Sequence, residues 1–215
     1  MNIKYLSIIS SIGGIIFLYT LSLFAQIPII DIEQIGDYDG KTVTTNGTVI
    51  EYYTTSYGSQ LITIQQNNST LILFMENPVN IQKGDLVQAT GTVQQYQNDW
   101  ELIIDKSEKF IILNTWVNNT LDLSDIAKNP TYYVNQNLNV TGYIDLIFDD
   151  YFHFIDENNE YMCIVKKPFI KNLTIYTGQQ INLKAYLTYD SPQTRYIFKL
   201  TSSNHTILPV MENKE

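Results

Sequence analysis

Residues 40–104 read GKTVTTNGTVIEYYTTSYGSQLITIQQNNSTLILFMENPVNIQKGDLVQATGTVQQYQNDWELII, and this stretch decides the fold. Short runs rich in Val, Ile, Thr and Tyr alternate with Gly, Asn and Asp clusters about every ten residues, which is typical of antiparallel β structure. Helical periodicity is nearly absent. The pattern predicts five strands, at Lys41–Tyr53, Gln60–Gln65, Thr70–Glu76, Leu86–Tyr96 and Trp100–Asp105.

The second half of the chain repeats this plan. The run Thr141–Ile144 aligns with Asn46–Val49 at an offset of 95, and the apolar pair Ile32 and Ile35 returns 91 residues later. On the fourth strand, small or apolar residues share one face of a period-two pattern in both halves: Val87, Ala89, Gly91 and Val93, and Ile181, Leu183, Ala185 and Leu187. A five-stranded unit hides its edges by closing into a barrel, so two small barrels are expected.

Two motifs give the first unit a family resemblance. Gly47 lies in the middle of the strand before the first hairpin, and residues 84–93, GDLVQATGTV, match GD-x-V-x-x-x-G-x-V. With them the chain resembles the OB-fold family of the tRNA-anticodon and helicase type, as found in membrane-anchored archaeal proteins with tandem OB units. The second half is more loosely similar, because GQQINLKAYL at 178–187 lacks the acid and the second Gly.

The resemblance implies an all-β fold, with two tandem five-stranded OB-like barrels after one N-terminal transmembrane helix. The expected domains are a membrane anchor or signal segment (1–28), barrel 1 (29–112), a linker (113–120), barrel 2 (121–209) and a polar tail (210–215).

The N-terminal segment carries no charge from Tyr5 to Ile30, and Lys4 precedes it while acidic residues follow. A membrane span needs about 20 mostly apolar residues, so residues 5–28 are expected to contact the membrane. The positive end stays inside, which predicts a single-pass protein with extracytoplasmic C-terminal domains. A cleaved signal peptide ending near Ala25 is the alternative.

Charge narrows the range of partners. The chain has 13 Lys plus Arg against 22 Asp plus Glu, for a net charge of −9. Residues 26–112 carry −7 of this and residues 113–215 carry −3. Because phosphate binding rests on Lys and Arg, this balance disfavours a nucleic-acid partner.

OB barrels bind ligands on the face of their second and third strands, between two loops. The resemblance therefore implies a binding face in barrel 1 with five aromatic residues: Tyr52, Tyr53, Tyr57, Tyr96 and Trp100. These rings could stack on bases or sugars. Alternatively, they fill barrel ends and pair across strands.

Other residues carry weaker signals. Sequons at Asn46, Asn67, Asn68, Asn118, Asn139, Asn172 and Asn204 are candidate glycosylation sites of an exported protein. The single Cys163 lies in a strand and is expected to be a small core residue. The sequence shows no catalytic motif and no metal-ligand spacing, so no cofactor and no metal are expected.

The function expected from these features is a non-enzymatic extracytoplasmic binding or assembly module, with a protein or glycan partner on the aromatic face of barrel 1. The alternative is single-stranded DNA or RNA binding, as the family label implies. A third possibility is a resemblance to the haem chaperone of cytochrome c maturation, with His205 near the C-terminus as the attachment residue.

Overall fold

The computed structural model describes residues 3–24, 27–166 and 175–210. Barrel 1 comprises β1 (Thr42–Thr54), β2 (Gln60–Gln66), β3 (Ser69–Met75), β4 (Leu86–Tyr96), β5 (Asp99–Ile104) and β6 (Phe110–Asn114). Barrel 2 comprises β7 (Thr120–Asp122), β8 (Asn137–Ile147), β9 (Tyr151–Ile155), β10 (Met162–Lys166), β11 (Gln180–Asp190), β12 (Arg195–Lys199) and β13 (Thr206–Pro209). The α-helices are α1 (Ile3–Phe24), α2 (Leu123–Lys128) and α3 (Pro130–Tyr133), and short 3-10 helices cover Ile32–Tyr38, Ser107–Lys109, Trp116–Asn118 and Ser191–Gln193.

Strand pairing closes barrel 1 into a ring. The order is β1-β2-β3-β5-β4, and β4 returns to pair with β1, from Thr42 opposite Thr92 to Thr48 opposite Leu86. The β3–β5 pair is parallel and the other pairs of the ring are antiparallel. The predicted five-stranded barrel is therefore confirmed, and β6 adds a strand alongside β4.

Barrel 2 repeats the same ring of pairings. Its order is β8-β9-β10-β12-β11, and β11 returns to β8, from Gln180 opposite Tyr143 to Tyr186 opposite Asn137. The β10–β12 pair is parallel, as β3–β5 is in barrel 1. The repeat read from the sequence thus corresponds to a repeated strand topology.

The glycine in the middle of each first strand permits a close approach of the next strand. A Cβ added to Gly47 would lie 2.9 Å from the carbonyl oxygen of Gln65. At Gly142 it would lie 2.7 Å from the carbonyl oxygen of Ile155. Both distances are too short for a real side chain, so only glycine fits where the first strand coils.

Each barrel has its own core, and the period-two faces form it as predicted. Val87, Ala89 and Val93 are fully buried in barrel 1, while the matching Leu183 and Ala185 are fully buried in barrel 2. The short apolar pair before each barrel is also buried: Ile32 and Ile35 in the first, Leu123 and Ile126 in the second.

The N-terminal helix α1 covers most of the uncharged segment. The side chains described within it, at residues 10–20 and 22, are exposed. Across the described residues, no helix has the combination of length and apolar character that crossing a membrane requires. The transmembrane helix predicted within residues 5–28 is therefore not supported.

The segment between the barrels is structured. Residues 113–120 contain the end of β6, a 3-10 helix and the first residue of β7. Within it, Trp116 is buried: its backbone N–H donates to Oδ1 of Asp85 at 3.0 Å and its indole Nε1–H donates to Oε1 of Gln82 at 2.9 Å. The same indole packs edge to face on His205, with ring centroids 5.9 Å apart. Direct contacts of Trp116 therefore join barrel 1 to barrel 2.

Candidate functional site

The outer face of barrel 1 carries a row of apolar side chains. Cross-strand pairing aligns Tyr53 with Leu61, Leu61 with Phe74, and Phe74 with Ile103. The chain neighbours of Leu61, Phe74 and Ile103 are buried, so these three side chains point outward, and Tyr53 lies on the same side because it pairs with Leu61. With strands about 4.8 Å apart, the row is roughly 14 Å wide. It defines the apolar face: Tyr53, Leu61, Phe74, Ile103 and the adjoining Tyr96.

An open depression of about 480 Å³ lies on this face, lined by Leu61, Phe74, Ile103, Tyr96, Gln94 and Glu101. Its polar side chains contact each other, because Nε2 of Gln94 donates to Oε2 of Glu101 at 3.4 Å. Glu101 is nearly buried at 7% exposure, whereas Tyr96 is 55% exposed. The depression therefore offers an apolar floor with an exposed aromatic ring at its edge and a carboxylate, but no cation, in its lining.

The five aromatics expected to share one binding face lie in different places. Tyr53 and Tyr96 belong to the apolar face, with exposures of 57% and 55%. Tyr57 is 95% exposed in the β1–β2 hairpin. Tyr52 pairs with the inward-facing Ile62, so it lies on the other side of β1. Trp100 packs against the barrel 1 core, with its ring close to Gly36.

Three residues of the apolar face were not among the predicted site residues. Leu61, Phe74 and Ile103 supply its centre. A signal for them exists in the sequence, because LILF at 71–74 and LII at 102–104 are apolar at consecutive positions. A strand with one solvated face is expected to alternate apolar and polar residues, so such runs indicate apolar side chains on both faces.

The outer face of barrel 2 has different chemistry. Pairing aligns Tyr151 with Lys166, Lys166 with Lys199, and Lys199 with Tyr186. Phe148 stacks on Tyr151 with ring centroids 4.4 Å apart and an interplanar angle of 22°. This basic aromatic row places two adjacent lysines between tyrosine rings, and Nζ of Lys166 also contacts Oδ2 of Asp190 at 3.7 Å.

His205 occupies a structural position. It is 7% exposed, and its Nδ1 accepts the backbone N–H groups of Thr201 at 2.8 Å and Ser202 at 3.2 Å. Its Nε2 lies 3.1 Å from Oδ1 of Asn137 and, because Nδ1 is the acceptor, donates to it. Burial lowers the pKa of this imidazole. Both ring nitrogens are therefore engaged, and this environment does not fit haem attachment.

The sequons differ in accessibility. Asn67, Asn68, Asn118 and Asn204 are exposed, and Asn46 is half-buried, with its Oδ1 accepting from Gln66. Asn139 is buried, and its amide donates to the carbonyl of Val117 and to Oγ1 of Thr120; a glycan replaces one of the two N–H groups and so removes at least one of these hydrogen bonds. Asn172 lies outside the described residues.

No protein-family model matches the sequence, and no curated protein matches it. Among solved structures, a putative aspartyl-tRNA synthetase from Leishmania major Friedlin is 11% identical over 44% of this chain and 22% of its own, with a TM-score of 0.37. The second OB-fold domain of replication protein A from Methanococcus maripaludis is 20% identical over 35% of this chain and 86% of its own, with a TM-score of 0.27. The structure of p202 HIN1 in complex with 12-mer dsDNA is 10% identical over 80% of this chain and 94% of its own, with a TM-score of 0.32.

One of these neighbours is an OB-fold domain, and TM-scores from 0.27 to 0.37 are too low for any of them to support a conclusion about this chain. The chain spans only about a fifth of the synthetase, as the 22% coverage shows. The closed strand order of barrel 1 carries the OB-like assignment independently. The finer resemblance to membrane-anchored archaeal proteins gains no support from these comparisons.

Proposed function

We propose that this chain is a non-enzymatic binding module that holds an apolar segment of a protein partner on the apolar face of barrel 1. The observation that carries the proposal is the continuous row of Leu61, Phe74 and Ile103 between the exposed rings of Tyr53 and Tyr96. An apolar row on a solvated sheet face contributes nothing to the barrel core, and aromatic residues around an apolar centre are the usual anchors of protein interfaces.

A protein partner fits this face better than a glycan. Sugar recognition needs several convergent hydrogen-bonding groups, whereas the depression is lined mainly by Leu61, Phe74, Ile103 and Tyr96. Its two polar side chains, Gln94 and Glu101, already contact each other. Burial of an apolar partner would remove water from Phe74 and its neighbours, at about 25 cal/mol for each Å² of apolar surface buried.

Photo-crosslinking in cells tests the proposal on the full chain. A photoreactive phenylalanine analogue placed at Tyr53 or at Tyr96 should give the same adduct, identified by mass spectrometry. The adduct should disappear with Phe74→Ser, because this change removes the ring at the centre of the face. Ile111→Ser on β6, where the side chain is 50% exposed, is the matched control and should leave the adduct intact. Different adducts from the two positions, or adducts that survive Phe74→Ser, would refute the assignment.

A glycan array with the same full-length protein distinguishes the second kind of ligand. Binding that depends on both Tyr53 and Tyr96 would replace the protein partner with a glycan. We expect no such binding, because the exposed polar groups that a sugar requires are few on this face.

The extracytoplasmic location is part of the proposal. It rests on the alternative that the N-terminal segment is a cleaved signal peptide, with Lys4 before an uncharged apolar stretch and Ala25 near its end. Protease treatment of intact cells should cleave barrel residues while a cytoplasmic marker stays whole. Protection of both proteins would place the barrels inside.

A second candidate function is single-stranded nucleic-acid binding by barrel 2, which the basic aromatic row favours. Single-strand binders combine stacking rings with cations along the backbone path, and this row brings Tyr151, Lys166, Lys199 and Tyr186 together. Titration with a labelled 12-mer oligonucleotide should then give salt-dependent binding that Lys199→Gln weakens. Binding unaffected by Lys199→Gln, or absent at about 50 mM salt, would eliminate this candidate.

A further inference from the structure

A second cavity lies in barrel 2, between α2 and the first residues of β10 and β12. Its volume is about 370 Å³, and it is lined by Leu123, Ile126, Pro130, Leu187 and Phe198 together with Arg195. This volume is within the range of small-molecule sites, roughly 300 to 1,000 Å³. At about 30 Å³ for a water-sized group, the cavity holds about a dozen such groups.

Arg195 introduces one charge into these apolar walls. It is the only arginine of the sequence. Its Nε atom is buried and meets no hydrogen-bond acceptor among the described residues. A buried guanidinium nitrogen without a partner is unfavourable, because its lost hydration is not replaced.

The carboxylate closest to Arg195 in the strand register contacts a different cation. Asp190 lies directly opposite Arg195 across the β11–β12 pair. Its carboxylate instead contacts Nζ of Lys166, with 3.7 Å between Oδ2 and Nζ. No ion pair found within residues 3–24, 27–166 and 175–210 includes Arg195. The guanidinium is thus left with its positive charge available at the cavity.

Cys163 does not neutralise this charge. Its thiol borders the cavity and donates to the carbonyl oxygen of Tyr196 at 3.3 Å. Burial raises the pKa of the thiol to about 12, although the nearby charge of Arg195 acts in the opposite direction. The thiol is therefore neutral near pH 7 and forms part of the apolar wall, in agreement with the core role expected from the sequence.

We propose that this cavity binds a small amphiphile that has an apolar tail of about ten carbons and one anionic headgroup. The tail packs on Leu123, Ile126 and Phe198, and the headgroup accepts hydrogen bonds from Arg195. The neutral thiol and the engaged Asp190 leave the ligand as the counter-charge for the guanidinium. This site shares no lining residue with the apolar face of barrel 1, so the proposal does not depend on the partner proposed for that face.

Ligand-observed and protein-observed NMR on the full chain test this site with decanoate and with decyl phosphate, which share the chemistry and differ in the headgroup. Either probe should show intermolecular NOEs to the methyl groups of Ile126 and Leu187. Decan-1-ol, which has the same tail without the charge, should bind at least tenfold more weakly. Binding to the exposed apolar side chains of α1 is common to all variants and does not produce those NOEs.

Three variants separate the contributions. Arg195→Gln should weaken decanoate binding at least tenfold and bring it to the level of decan-1-ol. Lys128→Gln removes a cation of α2 that is 57% exposed and lies 3.7 Å from Asp125, so it should leave binding unchanged. Ala127→Phe fills the cavity and should abolish binding of both probes while the methyl spectrum of barrel 1 stays the same.

The proposal fails in two distinguishable ways. If neither decanoate nor decyl phosphate gives NOEs to Ile126 or Leu187, the cavity is not a ligand site. If decanoate and decan-1-ol bind equally and Arg195→Gln has no effect, the site is a plain apolar void without charge selection. Neither result changes the outcome expected from the crosslinking experiment on the apolar face of barrel 1.

Discussion

Gln94 and Glu101 in barrel 1 and Asp190 and Arg195 in barrel 2 each form a pair across corresponding strands, β4–β5 and β11–β12, with the second pair two positions closer to the hairpin. In each barrel the second strand of this pair also forms the parallel pairing of the ring, β5 with β3 and β12 with β10. A cavity is lined in part by residues of this strand pair in each barrel. On this strand pair, barrel 1 has Glu101, which accepts a hydrogen bond from Gln94, whereas barrel 2 has Arg195, whose cross-strand neighbour Asp190 contacts Lys166 instead. The two barrels therefore share a strand topology but differ in the charged side chains that the corresponding strands carry.

The outer faces extend the contrast. Barrel 1 presents Leu61, Phe74 and Ile103, while barrel 2 presents lysines between tyrosines. A repeated fold in one chain therefore does not imply a repeated ligand, since the residues that face solvent are not needed for closure of the ring.

The largest expected effect compares the two cores at matched positions. Ile64 of β2 and Phe154 of β9 are both fully buried, and they pair with Val49 and Ile144 at corresponding positions of the first strands. Ile64→Ala should lower the free energy of unfolding by about 2–5 kcal/mol, and Phe154→Ala by about 3–5 kcal/mol, because the larger ring leaves the larger cavity. Denaturant unfolding followed by hydrogen exchange in each barrel measures both. Equal loss of protection in both barrels after either change would show that they unfold as one unit.

A smaller effect is expected at the contact that joins the barrels. Trp116→Phe keeps an aromatic ring beside His205 but removes the indole donor to Gln82. The free energy of unfolding should fall by about 1–3 kcal/mol, because the oxygen of Gln82 loses its partner. Calorimetry should then show the transitions of the two barrels further apart than in the unmodified chain. An unchanged separation would mean that other contacts couple the barrels.

Acidification should destabilise barrel 2 more than barrel 1. Burial lowers the pKa of His205 below its ordinary value of 6.5, so the unfolded chain binds a proton before the folded chain does. The contribution of His205 to the free energy of unfolding is therefore constant above pH 6.5 and decreases as the pH falls below it. Protonation would also place a third N–H against those of Thr201 and Ser202. Thermal unfolding from pH 7.5 to 5 measures the trend, and His205→Gln should flatten it.

The smallest effect on stability is expected for the exposed rings of the apolar face. Tyr53→Ala and Tyr96→Ala should each change the free energy of unfolding by less than about 0.5 kcal/mol, because both side chains are more than half exposed. Both substitutions should instead weaken binding of the protein partner. A large loss of thermal stability would indicate that the rings serve the barrel rather than a ligand.

The structure differs from the sequence-based predictions at the N-terminal segment and at the five aromatic residues. Absence of charge over 26 residues predicted a membrane span, but no described helix meets the requirements for one. The five aromatics cluster in the sequence of the loops, yet Tyr52 and Tyr53 are chain neighbours and therefore project to opposite sides of β1. The run Trp100-Glu101-Leu102 alternates apolar and polar residues, which puts Trp100 on the core side of β5, where the structure finds it.

The sequence by itself determined the class of fold, the repeat and the two barrel cores. Period-two patterns and mid-strand glycines are local features, and they fix which residues of a strand share a face and where a strand coils. Only the tertiary structure decided which aromatic rings meet Leu61 and Phe74, that Trp116 binds Asp85 and Gln82, and that Arg195 loses Asp190 to Lys166. Those contacts join residues that are distant in the chain, or depend on whether Asp190 contacts Lys166 or Arg195. Strand pairing in three dimensions sets them, and no local pattern encodes them.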